Sequence, residues 1–193
     1  MKSIITKNEY EDIYRSLDEV SPIDYDCGTL CGAACCLWIP EDCDNPEDAM
    51  GMYLLPGEDK IFSRKEPWLE WGSCNAKDYE FPDSWKGKVY FLTCRAKCHC
   101  DRKLRPIQCR SFPLQPHFNE NGELVMIYDT NDLPYSCPLI AEREKYPLNK
   151  DFVQATYAAW TKLIKDPLIH DLVQMDSEYR IEDELDIISV SYQ

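Results

Sequence analysis

The stretch Asp26-Cys27-Gly28-Thr29-Leu30-Cys31-Gly32-Ala33-Ala34-Cys35-Cys36 places four thiols within ten residues. Thiolates are soft ligands that favour zinc, Cu(I) or iron–sulfur clusters, and a folded chain gains little from crowding them unless something binds there. The segment therefore reads as half of a metal site. Its complement lies about sixty residues on, in Cys94-Arg95-Ala96-Lys97-Cys98-His99-Cys100 and Arg105-Pro106-Ile107-Gln108-Cys109-Arg110, with Cys137 further along. Thiols so far apart in sequence can share a metal only if the fold brings both segments together.

Cys27, Cys31, Cys35 and Cys36 are spaced more loosely than the two-residue knuckle of a zinc ribbon. If they begin a helix, Cys27 and Cys31 share a face, Cys35 continues it and Cys36 points elsewhere. Cys94, Cys98, Cys100, Cys109 and Cys137 add five thiols, with His99 beside two of them as a further candidate. Nine thiols suffice for one closed site or two, since a structural zinc or an iron–sulfur cluster takes four. Cys43 and Cys74 fall outside both groups and read as buried thiols behaving as small apolar residues. His117 and His170 read as structural or exposed, and no nucleophile triad is legible.

Arg95, Lys97, Arg102, Lys103, Arg105 and Arg110 crowd one stretch of an otherwise acidic chain. Cations there stabilise an anionic thiolate centre and depress thiol pKa values. A solvated basic loop or a phosphate-binding patch is the other reading. The formal charge of −14 argues against nucleic-acid and anionic-membrane partners. The N-terminus becomes charged before a secretory apolar run can form, and the most apolar window, Leu30 to Ile39, is too short to span a bilayer. The expectation is a cytoplasmic protein with no membrane segment, a protein partner being compatible. Eleven cysteines in such a compartment favour metal over disulfides, because thiols stay reduced there and an odd count cannot pair completely.

At 193 residues the chain is expected to form a single domain, with a cysteine-rich core over 26–138 and C-terminal helices over 149–176. Thr6 and Glu9 form a capping box for a helix over 6–19 carrying Tyr10, Ile13, Tyr14 and Leu17 on one face. Met50 to Leu55 suggests a short strand or a helix end. Irregular chain is expected through Trp68, Trp71, Phe81 and Trp85, which is broken by prolines and glycines. A strand over 88–93 delivers Cys94 at its end. Asn121-Gly122 marks the turn of a hairpin between 116–120 and 124–128. Asn149 caps a helix bearing Val153, Tyr157, Trp160 and Ile164, and Asp166-Pro167 starts another to about Met175. Ile188, Val190 and Tyr192 alternate as a short edge strand. The fold class is α+β: one irregular, metal-stapled domain with helices at both ends and a small antiparallel hairpin.

Cys27-x3-Cys31-Gly32 leading to Cys35-Cys36, followed by Arg105-Pro106-x2-Cys109-Arg110-x-Phe112-Pro113 and Cys137, resembles the YkgJ family of cysteine-rich zinc- or iron-chelating proteins. The resemblance spans roughly residues 26–138. It implies Cys27, Cys31, Cys35, Cys36, Cys94, Cys109 and Cys137 as metal ligands, with Cys98 or Cys100 as an eighth. Ala33-Ala34 stands where one residue is commoner in that family, and Cys43, Cys74 and the choice between Cys98 and Cys100 are additions to its pattern. Zinc is the first choice of metal and an iron–sulfur cluster the second. Flagellin lysine methylases carry a similar cysteine-rich centre, so the resemblance also implies an iron–sulfur redox or protein-modifying enzyme as an alternative. A zinc-stapled protein-interaction module is the third reading. The three-cysteine loop of radical S-adenosylmethionine enzymes fits less well, because the spacing has one residue too many and repeated βα units are missing.

Overall fold

Thr6 and Glu9 start the first helix as their spacing predicts. The Thr6 hydroxyl accepts the Glu9 N–H at 3.3 Å and the Glu9 carboxylate accepts the Thr6 N–H at 2.7 Å. A computed structural model gives the fold for residues 2–37, 51–67, 69–94 and 105–191, and gives the backbone alone for Cys36, Leu37 and Cys94. Helix α1 (Lys7–Asp18) buries Tyr10, Ile13, Tyr14 and Leu17, the four residues its periodicity selects. That face packs against α6 (Lys150–Leu163). Asn149 stands at the N-cap position of α6, but its side chain donates to the Ser21 carbonyl at 3.2 Å instead of capping. Its N–H reaches the Pro22 carbonyl at 2.8 Å, so the chain entering the cysteine segment is fastened to the C-terminal helices.

Helix α7 (Pro167–Glu182) runs a further two turns beyond Met175. Its cap, Asp166, is wholly buried and accepts the Leu168 N–H, the Ser3 hydroxyl and the Ile4 N–H, closing the N-terminus onto the start of α7. Among the described residues no helix is long and apolar enough to cross a membrane.

Strand β3 (Lys88–Cys94) lies where its β-branched and aromatic residues predict. It is the centre of a three-stranded antiparallel sheet, flanked by β1 (Gly51–Tyr53) and β2 (Leu69–Asn75). β2 corrects the expectation of irregular chain in this region. It pairs along the whole of β3, from Leu69 opposite Cys94 to Asn75 opposite Lys88. Its own sequence hides it: Gly72, Ser73 and Asn75 are exposed and only Leu69 is fully buried, so hydrophobic alternation is weak on this edge strand. Pairing with β3 supplies what propensity lacks.

The expected hairpin consists of β4 (Leu114–Phe118) and β5 (Leu124–Tyr128), beginning two residues earlier than its composition suggests. Asn119 shapes its turn by accepting the N–H groups of Asn121 and Glu123, each at 2.9 Å. Residues 188–190, within the segment expected as a short edge strand, lie beside β5 through a single bridge between Ser189 and Ile127, while Tyr192 lies outside the described residues. Helices α6 and α7 pack on this hairpin. The architecture is thus α+β, with helices at both ends and small antiparallel sheets between.

One buried carboxylate ties these parts together. Glu58, on a single 3-10 turn (Glu58–Lys60), is wholly buried and accepts the Tyr14 hydroxyl at 2.5 Å, the Leu55 N–H at 2.9 Å and the Ile107 N–H at 2.8 Å. Ile107 opens α4 (Ile107–Ser111), so Glu58 does for α4 what a capping side chain does elsewhere. The preceding Gly57 has φ of +89°, and a Cβ there would come within 3.0 Å of Ser3 Cβ. Arg110 of α4 is also wholly buried, with its guanidinium 4.3 Å from the Tyr14 ring centroid. It donates to the Arg105 carbonyl at 2.7 Å and forms an ion pair with Asp18.

Burial raises the Glu58 pKa, while its hydrogen bonds and Arg110 act to lower it. Replacing Glu58 with Ala strands three donors and removes countercharge from a buried guanidinium. Chemical denaturation should show Glu58→Ala destabilised by about 3–5 kcal/mol, and Glu58→Gln by about 1–3 kcal/mol because one donor would then face an amide nitrogen.

Candidate metal centre

The first cysteine segment folds as a knuckle. Cys27 precedes α2 (Gly28–Cys31), a single turn ended by Gly32 at φ +64°, where the cap N–H returns to the Gly28 carbonyl. Ala33 is also left-handed, at φ +58°, and its N–H reaches the Gly28 carbonyl at 2.8 Å. Two consecutive residues of positive φ cannot belong to a right-handed helix. The single continuous helix that would align Cys27, Cys31 and Cys35 is therefore replaced by two turns, with Cys35 on α3 (Ala34–Leu37). Asp26 braces the entry, its side chain accepting the Gly28 N–H at 3.0 Å and its carbonyl the Thr29 N–H at 3.1 Å.

Cys109 rides on α4 and is positioned by the Glu58 and Arg110 contacts. Cys137 stands at the start of α5 (Pro138–Ala141). These two thiols come to the N-terminal cluster. The Cys27 thiol is pushed up in pKa by burial, then by Cys35, Asp26 and Cys31, with Arg105 acting in the opposite sense. Burial pushes Cys137 up to about 11; the amides of Leu139 and Ile140 draw it down, and Cys31 and Cys35 raise it. Tyr135 is raised by burial and then by its neighbours, among them Cys35, Cys137 and Cys109. Cys27, Cys31, Cys35, Cys109 and Cys137 are all half-buried, and no disulfide joins any two of the described cysteines.

These five thiols are neighbours without forming a closed ligand set. Among the described residues no group of three or more His, Cys, Asp or Glu side chains is gathered tightly enough to hold a metal ion. Tetrahedral zinc with bonds of 2.3 Å to sulfur requires thiolates about 3.8 Å apart, whereas electrostatic influence extends much further. Cys43, Cys98, His99 and Cys100 lie outside the described residues, as do Arg95, Lys97, Arg102 and Lys103. The donor chemistry nonetheless fits a soft cation. Buried thiols that oppose one another's ionisation are relieved by a positive charge among them.

Two basic residues counted toward this centre from sequence divide between two tasks. Arg105 acts on Cys27, while Arg110 turns away toward Asp18 and Tyr14, because adjacent helical residues project about 100° apart. Cys74 is a half-buried thiol on β2 packed against the core, as its isolation in the sequence suggests. His117 is buried on β4, where burial and Arg180 lower its pKa.

A feature with no linear signature adjoins the thiols. A cavity of about 130 Å³ has Cys35 and Cys109 in its wall, with Phe112, Leu114 and Trp160 as apolar lining and Asp129 among its polar groups. Its lining comes from α3, α4, β1, β4, α6 and the 129–135 loop, so sequence inspection had no pattern by which to find it. No known family model matches the chain, and no curated protein or solved structure matches it either.

Cys137 should be a slow nucleophile. Raised from 9.0 to about 11, its thiolate fraction at neutral pH is roughly a hundredfold below that of an ordinary thiol. Alkylation with iodoacetamide, followed by peptide mass spectrometry across pH, should show Cys137 lagging behind unfolded-chain thiols and catching up only as the pH approaches 11.

Proposed function

We propose that this chain is a metal-binding protein whose thiolate centre is built from two distant cysteine clusters. Cys27, Cys31, Cys35 and Cys36 form one side, and Cys94, Cys98, Cys100, Cys109 and Cys137 supply the other. The observation that carries this reading is the approach of Cys109 and Cys137 to Cys27, Cys31 and Cys35 from three separate parts of the chain. The pattern resembling the YkgJ family supports it as well, since Cys27, Cys31, Cys35, Cys109 and Cys137 all belong to that pattern.

The residues divide the work by location. Cys27 precedes and Cys31 ends a one-turn helix whose left-handed exit allows Cys35 to approach from a second turn. The Leu139 and Ile140 amides favour the Cys137 thiolate, and Arg105 favours that of Cys27. Zinc, the first choice, would supply a fixed divalent charge and leave the centre a scaffold for binding. An iron–sulfur cluster would supply electron transfer, and with it the protein-modifying redox chemistry of the alternative reading.

Anaerobic purification followed by quantification of zinc, iron and acid-labile sulfide tests the proposal. Stoichiometric metal is expected. Cys109→Ser and Cys137→Ser should each lower its content at least severalfold, while Cys74→Ser leaves it unchanged. Binding should release protons and weaken as pH falls, because the ligands must lose their thiol protons. Colourless protein with zinc favours the scaffold, and colour with labile sulfide favours redox work. A folded protein that takes up neither metal with its thiols reduced would overturn the assignment.

A further inference from the structure

The cavity beside the thiols has a polar end that the proposed metal centre does not use. Asp129 lines it, and the carboxylate is held in place by the Gln115 amide at 2.7 Å and the Asn131 N–H at 2.8 Å. Gln115 is itself oriented by Arg180, whose Nη2 donates to the Gln115 side-chain oxygen at 2.8 Å. Arg180 is buried, and it also donates to the Pro116 carbonyl and the Thr130 hydroxyl. Asp129 forms no ion pair among the described residues. The Asp129 carboxylate thus lines the cavity with no ion-pair partner among the described residues; burial works against its charge, and these hydrogen bonds and the charge of Arg180 behind Gln115 favour it.

Three aromatic side chains, Phe112, Tyr135 and Trp160, line the same space. Trp160 is fixed by its indole N–H, which donates to the Ser111 hydroxyl at 3.0 Å. Aromatic rings attract cations electrostatically and are used to recognise organic ammonium groups, and a carboxylate beside them adds an opposite charge. Arg105 also lines the cavity, and its charge acts on Cys27. At about 130 Å³ the space approaches the roughly 150 Å³ of an apolar cavity that accommodates benzene. A group of ring size therefore fills it.

We infer that this cavity binds a small organic ammonium ion, its apolar body against Leu114, Phe112 and Trp160 and its charged nitrogen toward Asp129. The site goes beyond the thiolate reading and does not require it. Its rigidity favours recognition, because Asp129 is oriented by Gln115 and Arg180 before any ligand arrives.

Benzylamine, benzyl alcohol and benzoate share a body and differ in charge, and they serve as probes. The full chain, labelled with 13C at its methionine methyl groups, is titrated with each while the Met52 signal, assigned through Met52→Leu, is followed; Met52 also lines the cavity. Benzylamine is expected to shift that signal saturably and to bind at least tenfold more tightly than the alcohol, with benzoate inert. Asp129→Asn should abolish the preference for the amine and leave binding of the alcohol in place. Equal affinity for amine and alcohol, a preference for benzoate, or no saturable shift with any probe overturns the inference, whatever the variant does. Metal content measured on the same sample separates the two proposals. Metal-free protein that still prefers the amine retains this site while losing the thiolate centre.

Discussion

The structure depends on a carboxylate from which water has been excluded. Glu58 is wholly buried, yet it receives donors from three directions: a phenol on α1, an amide from the chain just before its own turn, and the first amide of α4. Burial of an uncompensated carboxylate would cost several kcal/mol. Compensation comes from Arg110, equally buried, which joins Asp18 and covers the Tyr14 ring. Every group in this set satisfies another, and none can be removed without leaving a buried polar atom exposed to apolar surroundings. The arrangement fixes α1, the Glu58 turn and α4 relative to one another before any thiol is considered.

The cysteines occupy the opposite extreme of local order. α2 and α3 are each four residues long, separated by Gly32 and Ala33 in left-handed conformations, and neither could persist as an isolated helix. The geometry of the knuckle is held by short-range hydrogen bonds accepted by Asp26 and the Gly28 carbonyl. On the far side, Cys109 belongs to the helix that the buried network anchors, and Cys137 to a one-turn helix begun by Pro138. A thiol on the anchored helix thus lies near thiols on a knuckle held by local hydrogen bonds.

Much of the fold was legible because it follows from strong periodicity and explicit end signals. The capping box at Thr6 and Glu9, the stripe Tyr10, Ile13, Tyr14 and Leu17, the Asn-Gly turn and the Asp-Pro start of α7 each specify their element locally. β2 was not legible, since an edge strand containing Gly72 and mostly exposed residues owes its existence to β3. The kink at Gly32 and Ala33 was equally hidden: Gly32 hints at an αL stop, but nothing in Ala33 announces a positive φ. For the candidate site, five of the nine thiols picked out by their chemistry, Cys27, Cys31, Cys35, Cys109 and Cys137, lie in one neighbourhood, but no group among the described residues is tight enough to hold a metal ion. The Arg110 contacts, the Asp129–Gln115–Arg180 chain and the cavity lay beyond reach, because each is assembled from segments tens of residues apart.

Helix α4 explains why these features adjoin. In five residues its side chains and amides face five directions: the Ile107 N–H toward Glu58, Gln108 toward the Tyr53 carbonyl, Cys109 toward the thiols and cavity, Arg110 toward α1, and Ser111 toward Trp160. A helix this short has almost no stability of its own, so its orientation must come from contacts made on all sides. Those contacts place a thiol, a cavity wall and a buried cation within little more than one turn. A metal centre and an ammonium-binding cavity built here would share Cys109 as a boundary, and Ser111, bonded to Trp160, would connect the frame around one to the aromatic wall of the other. Their proximity would then be a consequence of how few residues connect the core to the cysteine segments, and the wall they share on α4 is oriented by the same buried carboxylate.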